Sequence, residues 1–118
     1  MEIQELFNSV RQWGIDRKIT GPEGKGTLLG QLTKTQEELT ETRDAAVCLF
    51  IHEQNSNPLA VNDAWDEIKD GIGDTIVTLI LAAELAGLTA EECLQHAFDQ
   101  IKGRTGKMVD GQFVKDAK

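Results

Sequence analysis

The stretch GIGDTIVTLILAA, Gly71 to Ala83, leaves this 118-residue chain the fewest ways to fold. At helical spacing it is apolar nearly all round, so a helix built on it has no face suited to water and needs cover on most sides. Yet it contains Asp74, which is therefore expected to be buried. A buried carboxylate without a partner is costly, so it is paired, metal-bound or protonated. Just upstream, Asp63, Glu67, Asp70 and Asp74 recur at steps of four, three and four, which puts them on one helix face about 60° wide. The one basic residue in this helix, Lys69, lies off that stripe. Gly71 and Gly73 each cost roughly 1 kcal/mol relative to alanine in a helix and suit either close helix packing or approach of a ligand. A helix this apolar carries more surface than a four-helix monomer can cover, so a homodimer or homotetramer is expected.

The remaining elements follow from periodicity and punctuation. Glu2 to Trp13 reads as a short helix with Ile3, Leu6, Phe7 and Val10 on one face. DRKITGPEGKGT is a loop: its glycines and lysines do not form the GxxxxGK[ST] phosphate cradle. A second helix runs from about Thr27 into the low 50s, with Leu28, Leu29, Leu32, Leu39, Ala46 and Phe50 as its core stripe. NSNPLAVND interrupts, and Asn62 or Asp63 caps a third helix over about Ala64 to Ala86. Gly87 closes it, and a capping box from Thr89 to Glu92 opens a fourth that ends near Lys102 or Gly103. Two short apolar runs flank Asp110-Gly111, the dipeptide of a tight hairpin. The expected fold is all-α: one domain over residues 1–118, four helices and a short C-terminal β-hairpin.

The second helix carries its own acidic cluster, Glu37, Glu38 and Glu41, in TQEELTE. Neighbouring like charges at these spacings cost roughly 0.2–0.5 kcal/mol per pair. Lys34, Glu38 and Glu41 flank the apolar stripe, with Glu37 just beyond. A solvated face needs no such crowding; a bound cation accounts for it.

Exclusion narrows the cation. Neither His52 nor His96 has a glutamate three residues before it, as a di-iron bundle requires. HExxH and EF-hand patterns are absent, and both histidines read as surface or boundary residues. Cys48 and Cys93 lie 45 positions apart among apolar residues and read as buried free thiols. Carboxylates alone on rigid helices suit Mg²⁺, with Mn²⁺ as the alternative. Mg²⁺ usually bridges carboxylates to a phosphate, which implies metal-assisted hydrolysis of a phosphate ester or anhydride. The formal charge of −8, from 20 acidic and 12 basic residues, argues against a nucleic-acid polymer as partner. The acidic, amphipathic start MEIQELF lacks the pattern of a signal peptide, and the longest apolar run is too short for a membrane span. A cytoplasmic location is expected, with no membrane partner.

Glu37-Glu38-x-x-Glu41 matches the EExxE motif of the MazG-like all-α nucleoside triphosphate pyrophosphohydrolases. GIGDTIVTLILAAELAGLTAEECLQHAF resembles the segment that follows it there, which holds an ExxD motif and then a capped helix. The tail IKGRTGKMVDGQFVK is similar to that of small, often phage-encoded members. The resemblance spans roughly Leu28 to Lys115. One position departs from the pattern: Asp74 matches the aspartate of ExxD, but Gly71 stands where the glutamate would be. Asp70 or Glu67 would have to supply that ligand.

The resemblance implies a four-helix MazG-like bundle that cleaves nucleoside triphosphates between the α and β phosphates. Glu38, Glu41, Asp74 and Asp70 (or Glu67) would hold metal. Glu37 would orient or deprotonate the attacking water. Lys34, Lys102, Arg104 and Lys107 are candidate phosphate contacts, and Trp13 is either a base-stacking surface or a core residue. The competing reading is a non-enzymatic acidic helical interaction protein, which would spread its carboxylates over the outer surface.

Overall fold

Three of the four helices start where a side chain satisfies one of the first free amides. A computed structural model describes residues 1–117 and contains α1 (Ile3–Asp16), α2 (Leu28–Gln54), α3 (Pro58–Leu85), α4 (Ala90–Ile101) and an antiparallel ribbon of β1 (Gly106–Val109) and β2 (Gln112–Lys115). Thr27 Oγ1 accepts from the Gly30 amide at 3.0 Å to open α2. At α4 the capping box forms as expected, Thr89 Oγ1 accepting from the Glu92 amide at 3.1 Å and Glu92 Oε1 from the Thr89 amide at 2.7 Å. Asp110 and Gly111 both take positive φ, 50° and 80°, the geometry of a tight hairpin turn.

Two boundaries differ from expectation. α3 begins at Pro58, not at about Ala64, because the Asn57 side chain accepts from the Ala60 amide at 3.2 Å and proline's fixed φ suits the first helical position. Asn62 and Asp63 therefore lie inside the helix. α1 continues past Trp13 to Asp16, where Lys18 adopts φ 60° and the Ile19 amide returns to the Gly14 carbonyl at 2.9 Å. That closure is the usual glycine-ended one made by a lysine, so it leaves no glycine to read. At the end of α3 the same closure uses Gly87 at φ 75°, with Leu88 N–H donating to Ala83 O at 2.9 Å. The chain then turns 101° into α4. Among the described residues no single helix is long and apolar enough to cross a membrane.

The expected four helices and small antiparallel hairpin are present, and the helices spread as an open fan about α3. α2 lies antiparallel along α3, while α1 and α4 pack on α3 and not on α2. The small core sits where α1 and α2 meet α3: Ala45, Ala64, Ile80, Leu81 and Ala82 are buried, with Leu81 pressed against Gly14. The radius of gyration is 17.4 Å, against about 13–14 Å for a closed domain of this length.

The expected core stripe of α2 faces outward. Leu29 is 77% exposed and Phe50 64%, with Leu28, Leu32 and Leu39 also exposed. The cause is the residues α2 turns to α3 instead. Thr35 meets Thr78 and Thr42 meets Gly71, small or hydroxyl-bearing groups that let the two backbones approach, and Ala45 is buried on the same side of α2. Cys48 and Cys93 are likewise exposed, not buried.

Candidate functional site

Two contacts fix the register of α2 on α3. Thr35 Oγ1 donates to Thr78 Oγ1 at 2.8 Å, and a Cβ added to Gly71 would overlap the Thr42 hydroxyl. Thr35 to Thr42 is seven residues up α2, and Thr78 to Gly71 is seven residues down α3. Counting inward, Glu38 sits opposite Thr75, and Glu41 opposite Ile72. Asp70 and Asp74 bracket that level.

The helical wheel then sorts the two flanks. At 100° per residue, Glu41 on α2 and the Asp63–Glu67–Asp70–Asp74 stripe on α3 lie about 80–90° to the same side of the seam. In an antiparallel pair those sides form one broad face. The opposite face carries Leu32, Leu39 and Phe50 from α2 and Trp65, Ile72, Ile76 and Leu79 from α3, all exposed. The α2–α3 hairpin is thus a slab with one acidic and one apolar side.

Glu38 lies nearest the seam: its side chain is 14% exposed, against 57% for Glu37. Lys34 serves both, its Nζ 3.2 Å from Glu37 Oε2 and 3.7 Å from Glu38 Oε1. The hydrogen bond and charge of Glu37, then the charges of Glu38 and Glu41, hold the Lys34 ammonium above its ordinary pKa. Lys34 is therefore the cluster's counter-ion in this state, not a free phosphate contact.

Asp74 does not have the expected burial. It is exposed, as are Glu41, Glu67 and Asp70, because the hairpin's acidic side is open. Among the described residues no three or more Asp, Glu, His or Cys side chains converge closely enough to hold a metal ion. The backbone register brings the carboxylate positions to one level and one face.

The other candidates sit elsewhere. Lys102 pairs with Asp99 at 3.3 Å, and Arg104 lies between α4 and the ribbon. Lys107 is on β1, opposite Val114. The ribbon packs on no helix of its chain and α4 does not pack on α2, so none of these three is brought to the Glu37–Glu41 cluster. Trp13 is 43% exposed and lies under the Arg17 guanidinium, 5.5 Å from ring centre to Cζ, so it is not a core residue. His52 is partly buried and His96 exposed, as expected of boundary and surface positions.

One polar network has no counterpart in the sequence reading. Arg11, its side chain 17% exposed, places Nε 2.7 Å from Glu84 Oε1 and also meets Glu91, while Gln4 donates to Glu91 Oε2 at 2.8 Å. This ties α1 to both sides of the α3–α4 turn. The available signal was a lone arginine in the apolar periodicity of α1. No family model, characterised protein or solved structure matches the chain.

Proposed function

We propose that the acidic side of the α2–α3 hairpin is a divalent-cation site and that the chain is a MazG-like nucleoside triphosphate pyrophosphohydrolase. One observation carries the reading: Glu38, Glu41, Asp70 and Asp74 stand at one level and on one side of two helices held in register. This all-oxygen set fits Mg²⁺ or Mn²⁺ in donor chemistry. Glu38, Glu41, Asp74 and Asp70 would be the ligands, with Glu67 one turn back as the alternative to Asp70. When bound, the metal supplies Lewis-acid polarisation of the phosphoanhydride and shields its charge. Glu37, at the solvent edge of the cluster, takes the proton of the attacking water. The water oxygen bonds to the α phosphorus as the bond from that phosphorus to the α–β bridging oxygen breaks, and pyrophosphate leaves. Lys34 exchanges its carboxylate partners for phosphate oxygens as the cluster's negative charge is neutralised.

The same reading includes self-association as a homodimer or homotetramer. The chain exposes 8961 Å², where a folded monomer of 13.0 kDa exposes about 6,300 Å². The excess is of the size an obligate interface removes from each partner.

A second reading draws on the exposure of Glu41, Glu67, Asp70 and Asp74: an acidic interaction protein without catalysis. One assay separates the two. With Mg²⁺ and a panel of nucleoside triphosphates, pyrophosphate is the expected first product and excess chelator abolishes its release. Orthophosphate as the sole initial product overturns α–β cleavage, turnover in chelator overturns the metal, and no turnover on any nucleotide leaves the second reading.

A further inference from the structure

The C-terminal ribbon is a built object with nothing of its own chain to rest on. Its strands pair with each other and neither packs on a helix, although an isolated two-stranded ribbon is marginal in water. It is nevertheless pinned at both ends. At the tip, Asp110 and Gly111 make the tight turn. At the root, Thr105 Oγ1 donates to Asp116 Oδ2 at 2.8 Å, and the Asp116 amide donates to Thr105 O at 2.9 Å. The register sets Met108 directly opposite Phe113 on one face. Gly106 lies on the same face and leaves room for the Phe113 ring, since a Cβ there would stand 2.6 Å from the Phe113 Cζ. Met108 is 66% exposed and Phe113 53%: a rigid apolar knob held out from the body.

A matching hollow lies between α1 and α4. Ile3, Phe7, Leu94 and Phe98 line a groove of about 480 Å³, and Phe7 and Leu94 continue it into a second apolar hollow that includes Cys93. Glu91 stands at its edge. The ribbon and its root carry Lys102, Arg104, Lys107 and Lys115 against Asp110 and Asp116, a cationic segment in a chain of net charge −8. Glu91 is engaged by Arg11, but α1 and α4 together carry Glu5, Asp16, Glu91, Glu92 and Asp99 against Arg11 alone. Knob and hollow are thus matched in polarity, and the helices that flank the hollow are opposite in charge to the ribbon.

We propose that the ribbon is an arm that grips a second copy of this chain, seating Met108 and Phe113 in the α1–α4 groove of that copy. Reciprocal exchange of two arms closes a two-fold dimer with no open end. The area agrees: two chains together expose about 5,200 Å² beyond two folded monomers of their mass, at the upper end of the roughly 2,000–5,000 Å² or more that obligate dimers bury in total. The inference rests on the self-association proposed above and not on the proposed hydrolysis.

The native thiols make the test. In a full-length Cys48→Ser background, Met108→Cys places a thiol on the arm while Cys93 remains beside the groove. Treatment with diamide is expected to give a disulfide-linked dimer that reductant reverses and that Cys93→Ser abolishes. An internal disulfide at monomer mass would show the arm folding onto its own chain and overturn the proposal. A dimer that persists in Cys93→Ser, or no cross-link at all, overturns it equally. Independently, Phe113→Asp is expected to weaken self-association about tenfold or more by light scattering, with helical circular dichroism unchanged. Association equal to that of the unaltered chain would overturn the proposal too.

Discussion

The two sides of the α2–α3 hairpin come from the same two helices and the same turns, yet they pose opposite problems. One crowds carboxylates that repel, and the other leaves Leu39, Phe50, Ile72 and Ile76 facing water. Neither is what a free monomer would select. The seam between them explains how both persist: it is made from Thr35, Thr42, Ala45, Gly71 and Thr78, which need neither flank to hold the helices together. Small and hydroxyl-bearing residues carry the pairing, so large and charged ones are free to address something outside it.

The largest effect is expected on the acidic side. Glu38→Gln removes one charge from the cluster, so without metal the protein should melt at the same temperature or slightly higher, because relieved repulsion is worth a few tenths of a kcal/mol per pair. Mg²⁺ should stabilise the variant less, and hydrolysis should fall about 100-fold or more. A lower melting temperature without metal, with turnover retained, would make Glu38 a structural residue. On the apolar side the expected response is reversed. Ile76→Asp should weaken self-association by about 2–3 kcal/mol, since it carries a charge into an interface, while the far-ultraviolet spectrum of the separated chains stays helical. Unchanged sedimentation at micromolar concentration would show that this side stays uncovered.

A smaller effect separates seam from flank within α3. Gly71→Ala drives a methyl into the Thr42 hydroxyl and should destabilise by about 1–3 kcal/mol, reduced by up to about 1 kcal/mol of gained helix propensity. Gly73, two residues on, has nothing within 4 Å of an added Cβ, so Gly73→Ala should stabilise by roughly 0.5–1 kcal/mol. Denaturant melts of the two variants check both signs. Equal effects at the two sites would mean that the close approach at Gly71 is not what sets the register.

How much was legible follows from where each signal resides. The α4 capping box, the Gly87 closure and the Asp110-Gly111 turn were readable because the residues that make them are adjacent in sequence. The closure at Lys18 was not, because a lysine in a left-handed conformation carries no mark of its own. Pro58 was the better start signal for α3 than Asn62 or Asp63, since it suits a first turn and would break a later one. The larger miss was the direction in which the α2 stripe faces. Periodicity shows which side chains share a face; it does not show whether their cover is in the same chain. The Thr42–Gly71 contact decides that question, and it joins positions 29 residues apart. The acidic positions were readable as two stripes, and the register contacts put them at one level. The exposure of Asp74 was not readable, because it depends on the same unseen orientation.

The turn at Gly87 has a mechanical consequence. α4 is 12 residues long, about 18 Å at 1.5 Å per residue, and the ribbon lies beyond its far end. Rotating α4 by about 10° at that pivot would carry the ribbon's root some 3 Å, by the same rise per residue, while the α2–α3 register stayed fixed. A left-handed glycine and the Arg11 bridge to Glu84 and Glu91 would act as the pivot and brace of such a lever, so the angle at the α3–α4 turn sets how far the ribbon reaches.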